Sequence, residues 1–138
     1  PTRNLEQNAL MWVLLQASTT ITAFNTVVFD GNFKANNITS AIAISNPMSI
    51  GVPQVPSGVI DPAVNPLFWA AIKGGSGLVA NCSGSAGTGV VVNTGTLAGY
   101  LTVSTTGTTI RGILFVASTG ASAAVEVVMS YPRTAALG

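Results

Sequence analysis

Toward the end of the chain, apolar and polar positions alternate with the period of two that marks a half-buried β-strand. Ala123, Val125, Val127, Met129 and Tyr131 fall on one side, Ala124, Glu126, Val128, Ser130 and Pro132 on the other. The first set is expected to face the core. Residues 108–117 supply a partner strand, with Ile110, Gly112, Leu114 and Val116 on the same buried side. That phase places Arg111 on the side of Glu126. The two are directly opposite if a two-residue turn at Ser118-Thr119 joins the strands, and diagonal if the turn has four residues. Arg111 and Glu126 are therefore a candidate structural ion pair, worth under about 1 kcal/mol if exposed.

The same signal recurs along the chain. β-Branched residues crowd 19–24, 26–29 and 38–44, where strand is favoured over helix. Further runs at 67–72, 77–81, 88–92 and 97–104 are separated by Gly-containing breaks at 73–76, 83–87, 93–95 and 105–107. Many short strands with small polar turns predict an all-β fold. The expected form is a single antiparallel β-sandwich over 1–138, jelly-roll-like or of a related Greek-key or meander type. Residues 1–16 form an N-terminal arm or a short helix: Asn4 could cap it with Gln7 three positions on, and Leu5, Ala9, Trp12 and Gln16 would share a face. A strand over 11–16 fits the pattern equally well.

Five of the seven prolines (Pro47, Pro53, Pro56, Pro62 and Pro66) fall in residues 46–66, which predicts a long extended loop rather than a central strand. Its apolar residues Met48, Ile50, Val52, Val55, Val59 and Ile60 would be costly to leave in water. They are expected to lie on the domain itself or on a neighbouring copy, and are the candidate interface.

Composition sharpens this picture. Charged residues make up 7% of the chain and apolar ones 48%, with a net charge of +1, against the ~25% charged of an ordinary soluble domain. The polar surface must come from 12 Ser, 16 Thr and 10 Asn, groups that cost less than charges to cover at an interface. The five basic residues form no stripe, so direct nucleic-acid binding is not expected. No run reaches the ~18–20 apolar residues of a membrane span. The N-terminus does not read as a signal peptide, and Pro1 suits either a trimmed start or a processed end. The lone Cys82 is expected to be a small buried apolar residue.

The search for chemistry comes back empty. Histidine is absent, removing the commonest general base and metal ligand together. The four acids are 24 to 65 residues apart, without the signature of a carboxylate pair. The glycines of 74–77 and 84–87 precede no Lys-Ser/Thr pair, so they are turn material rather than a phosphate loop. No catalytic, cofactor or metal site is predicted. Two glycosylation sequons, at Asn37 and Asn81, are no more than chance would supply. Residues 3–12 resemble the opening of the NinB-type phage recombination proteins, with Arg3, Glu6, Gln7, Asn8 and Trp12 in similar places. Those proteins are basic and helical beyond that point, and this chain is not, so the likeness implies no function.

A chain poor in charge and in catalytic groups is expected to be a non-enzymatic structural subunit whose partners are copies of itself. A virion protein (capsid, decoration or tail component) is the leading reading. A secreted pilus or filament subunit at the cell surface, with residues 1–29 donated to the next copy's sheet, is the alternative. A gene beginning Met-Pro-Thr-Arg would favour the first, a leader before Pro1 the second. The third reading is a ligand- or glycan-binding β module using Trp12, Phe68, Trp69, Tyr100 or Tyr131 as a stacking platform.

Overall fold

The computed structural model describes residues 10–39, 48–55, 58–84, 87, 92–95, 97–103 and 109–134. The helices and strands among them are all strands: β1 (Met11–Ala17), β2 (Ile21–Thr22), β3 (Val27–Phe29), β4 (Lys34–Asn37), β5 (Ser49–Pro53), β6 (Val59–Ile60), β7 (Leu67–Cys82), β8 (Val92–Thr94), β9 (Leu101–Thr102), β10 (Thr109–Phe115) and β11 (Ala123–Thr134). The all-β class read from alternation and turn spacing is the class of the fold. The main sheet runs β1-β4-β3-β5-β11-β10-β8-β9-β7 and closes where β7 pairs with β1. β7 also pairs with β5 and β11, while β2 and β6 form a separate two-stranded sheet. The sheet is mixed rather than purely antiparallel, since β1 runs parallel to β4 and β7 parallel to β9.

β7 is the spine, a single 16-residue strand where two strands and a break at 73–76 were expected. The glycines there do not turn the chain. They let it bulge: β7 pairs Leu78 with Val127 and Gly74 with Met129, so residues 75–77 bow out and the ladder resumes beyond them. Gly77 sits at φ 75°, a conformation costly for any side chain.

The proline-rich segment 46–66 is likewise not one extended loop, because it contains β5 and β6. Pro53 closes β5 and Pro47 precedes it in sequence, so residues 49–52 keep their backbone donors; 49–51 pair with β3 and Val52 with Ala71 of β7. The prolines punctuate the strand instead of preventing it. Elsewhere the elements are shorter than the apolar runs. Residues 19–24 reduce to β2, and the described part of 97–104, residues 97–103, to β9 after a turn in which Tyr100 N–H donates to Leu97 C=O (3.1 Å). The expected break at 93–95 lies partly within β8. Of the two readings of residues 1–16, the strand over 11–16 is the one the fold adopts, so a helix carrying Trp12 and Gln16 on one face is excluded; residues 1–9 lie outside the described residues.

Two apolar clusters form the core. Leu15, Ile21, Val27, Ile60, Phe68 and Ala70 make up the smaller; Val28, Ile50, Val52, Ala71, Phe115 and Val127 belong to the larger. Neighbours in sequence go to different clusters: Val27 and Val28 are both fully buried, as are Ala70 and Ala71. β3 and the middle of β7 are thus a wall with packed side chains on both faces, as continuous small and branched apolar residues allow. Gly51 in β5 permits the close approach, since a Cβ there would lie 3.0 Å from Ala70 Cβ.

The β10–β11 hairpin corrects the predicted faces. Val125, Val127 and Met129 point inward as expected, but Ala123 and Tyr131 are exposed. On β10 the buried residues are Ile110, Ile113 and Phe115, while Leu114 and Val116 face outward. Gly112 at φ 85° and Tyr131 at φ 49° mark a bulge that slips the alternation by one residue, which exchanges the faces beyond it.

Candidate functional site

The outer face of β1 and the first half of β7 carries the most unusual chemistry of the described surface. The two strands pair Leu14 with Trp69, Leu15 with Phe68 and Gln16 with Leu67. Alternation sends Leu15 and Phe68 into the core and leaves Trp12, Leu14, Leu67 and Trp69 outside, at 40%, 44%, 56% and 59% exposure. Trp12 pairs with Ala71, two residues from Trp69, so the two indoles are diagonal neighbours on one face.

Residues 61–66 wall this face. Asp61 accepts from Ala63 N–H through Oδ1 (2.8 Å) and from Asn65 N–H through its backbone carbonyl (3.0 Å). The tight turn that results lifts Val64 to 81% exposure beside Val59 at 61%. Between turn and sheet lies a recess of about 420 Å³, lined by both tryptophans with Val59, Asp61, Val64 and Asn65 among others. Its base is fixed by Gln54, whose amide donates to Val79 C=O (2.8 Å) and accepts from Val79 N–H (3.0 Å), standing in for a strand neighbour.

The sequence-predicted interface fares differently. Ile50 and Val52 are core residues of β5, Ile60 is buried, and Met48 and Val55 are half-buried. Val59 alone of the six is exposed, because forming β5 turns the apolar residues of that segment inward. The predicted ion pair is not brought together either. Arg111 stands opposite Arg133, whereas Glu126 lies at the other end of the hairpin, its backbone carbonyl accepting from Val116 N–H (3.0 Å). The Gly112 bulge and a connection spanning 116–122 set this register instead of a short turn. Five strand positions separate Arg111 from Val116, roughly 15 Å.

Of the five aromatics named as a platform, the fold groups Trp12, Phe68 and Trp69 around the recess. Phe68 contributes from the core side, being 5% exposed. Tyr131 sits apart, its hydroxyl donating to Met11 Sδ (2.8 Å) with Lys73 Nζ 5.7 Å from its ring centre, and Tyr100 is half-buried in the turn before β9. Leu14, Leu67 and Val64 were not singled out from sequence. Leu14 and Leu67 lie in runs apolar on both faces, where alternation does not say which residues point out, and Val64 lies in a turn that alternation does not reach.

Cys82 is free and fully buried, and burial pushes its thiol above the ordinary value of 9.0. A thiol reagent at neutral pH is expected to leave the native chain unlabelled and to react once denaturant is added. The unfolded thiol ionises first as pH climbs past 9.0, so its linkage predicts stability that is constant below that pH and falls above it. A denaturation series across pH 7–10 measures this against Cys82→Ala, which removes the slope that belongs to the thiol. Asn81 of the second sequon is also buried. Its Nδ2 donates to Ala23 C=O (2.9 Å) and Asn25 Oδ1 (2.8 Å), which takes up the atom a glycan would need.

Among the described residues no group of three His, Cys, Asp or Glu could hold a metal, and no helix is long and apolar enough to cross a membrane. Compared with protein-family models, with curated proteins and with solved structures, the chain matches none of them.

Proposed function

We propose that the chain is a non-enzymatic structural subunit that assembles with copies of itself through the Trp12–Trp69 face, most simply as a component of a virion shell or tail. The observation that carries this reading is the outward pair of tryptophans set among Leu14, Val59, Val64 and Leu67. Together the two indoles leave about one whole ring system in water. Covering it gives roughly 4–6 kcal/mol of gross driving force per subunit. With 7% charged residues and a net charge of +1, two such faces meet without appreciable repulsion. Strand donation has less support: β1 and β3 already sit within their own ladder, and closure of the sheet leaves no long edge among the described strands to receive a donor.

Sedimentation velocity of the purified chain over a range of concentrations tests the proposal. Association should strengthen with concentration and change little up to ~0.5 M salt, because few ion pairs are available to screen. Trp12→Ser with Trp69→Ser should weaken association by about 100-fold, the scale of losing two central aromatic anchors, without unfolding the chain. A monomer at every concentration refutes it.

One observation favours a second reading. Asp61 and Asn65 line the same recess as the indoles, and an aromatic plane beside planar hydrogen-bonding groups suits a sugar ring. Saturable quenching of tryptophan fluorescence by oligosaccharides, at concentrations where the chain is monomeric, would favour that reading over assembly.

A further inference from the structure

Two bulges interrupt the ladders on either side of β11. On one side β10 pairs Arg111 with Arg133 and Ile113 with Met129, so residues 130–132 bow out against Gly112. On the other, residues 75–77 of β7 bow out between Gly74 and Leu78. Where the two faults coincide a cavity of about 610 Å³ opens between the strands, a volume within the ~300–1,000 Å³ of small-ligand sites. Its walls are apolar side chains, Ile110, Ile113, Leu114 and Met129, and the bare backbone of Gly74 and Gly75.

Arg111 is the charged residue on that wall. Both it and its cross-strand neighbour Arg133 are exposed, and like charges facing each other across a ladder repel. The carboxylates of the described residues are engaged or remote. Asp30 Oδ1 accepts from Asn32 N–H (2.8 Å) and Lys34 N–H (3.1 Å), Asp61 Oδ1 from Ala63 N–H, and Glu126 lies at the far end of the hairpin. An apolar slot thus carries Arg111 on its wall, with Arg133 beside it on the neighbouring strand and no acid of the described residues in register.

We propose that this slot binds a single-chain amphiphile with an oxyanion head, the chain lying between β7 and β10 and the head on Arg111 and Arg133. A linear alkyl carboxylate is the simplest such ligand. The guanidinium fork matches a carboxylate in bidentate geometry, and the ligand's charge relieves the repulsion between the arginines. The site is separate from the tryptophan face and does not depend on assembly.

Calorimetric titration with dodecanoate, kept below its micelle-forming concentration, tests this. One saturable site per chain is expected, with dodecanol binding about tenfold or more weakly because it lacks the charge. Arg111→Gln with Arg133→Gln should weaken dodecanoate to the level of dodecanol. Both residues are exposed, so circular dichroism should show the fold intact. Trp12→Ser with Trp69→Ser should leave the affinity unchanged. Equal affinity for dodecanol, indifference to the arginine changes, loss of binding in the tryptophan variant, or attachment to anionic vesicles without binding of monomeric dodecanoate would each overturn the proposal.

Discussion

Asn25→Leu is expected to lower the unfolding free energy by about 2–4 kcal/mol, as measured by urea denaturation. Asn25 is 5% exposed and joins three parts of the fold. Its Oδ1 accepts from Asn81 Nδ2 on β7 (2.8 Å), and its Nδ2 donates to Asn37 Oδ1 on β4 (3.0 Å). Asn37 in turn donates to Thr20 C=O (3.0 Å), so the chain of amides ties β4 and β7 to the segments around β2. Leucine has as many side-chain heavy atoms and branches at the same carbon, which keeps the cost from being one of cavity. The loss comes chiefly from a donor on buried Asn81 stripped of its partner, and in lesser part from an acceptor on half-buried Asn37. The neighbouring residue supplies the contrast. Thr26 Oγ1 is buried with no hydrogen-bond partner, so Thr26→Val should be neutral or stabilise by up to about 1 kcal/mol. If both substitutions cost the same, packing rather than hydrogen bonding holds this corner.

This network shows which part of the fold can be read from sequence. Period-two alternation found β10 and β11 to within three residues at either end, and β-branched clustering identified β3, because a strand with one covered face announces itself through its side chains. It could not find β5. There the evidence was proline count, and what decides a strand is where the prolines fall relative to the donors that must pair. Nor could it show that Asn25, Asn37 and Asn81 meet, since their contact spans 12 and 56 residues of sequence.

The exposed apolar face lies elsewhere than the sequence suggests. A charge-poor chain with apolar residues in excess leads to the expectation of a covered surface, and the prolines of 46–66 point to that segment as exposed. In the fold Ile50, Val52 and Ile60 of that segment are drawn inward, and the exposed apolar surface appears on β1 and β7 with Val59 and Val64 beside them. Residues such as Leu67, Phe68 and Trp69 are apolar in succession, so nothing in the sequence says that Phe68 belongs to the core and its neighbours to the outside. Pairing with β1 decides it, by bringing Leu15 over Phe68.

Gly112→Val is expected to cost at least about 3 kcal/mol in urea denaturation, and the reason couples backbone strain to the facing of an entire strand. At φ 85° a β-branched residue is strained whatever the space around it. Space is lacking too: a Cβ at this position would lie 2.7 Å from Ser130 C=O and 3.0 Å from Pro132 Cα, both backbone atoms of β11. Relief by sliding the bulge one residue along is no escape. It would turn Ile113 and Phe115 outward and bring Leu114 and Val116 in, and Phe115 is the largest of the fully buried side chains. Removing a buried phenylalanine from a core costs about 3–5 kcal/mol, so the chain keeps the strain or loses the core, and either way it is destabilised. Gly31→Ala and Gly120→Ala are the controls. A Cβ at either meets nothing within 4 Å, and each change should stay within about 0.5 kcal/mol. Should Gly112→Val prove as mild as those two, the phase slip in β10 does not depend on the glycine, and the facing of Leu114 and Val116 must be set by the packing of Phe115 alone.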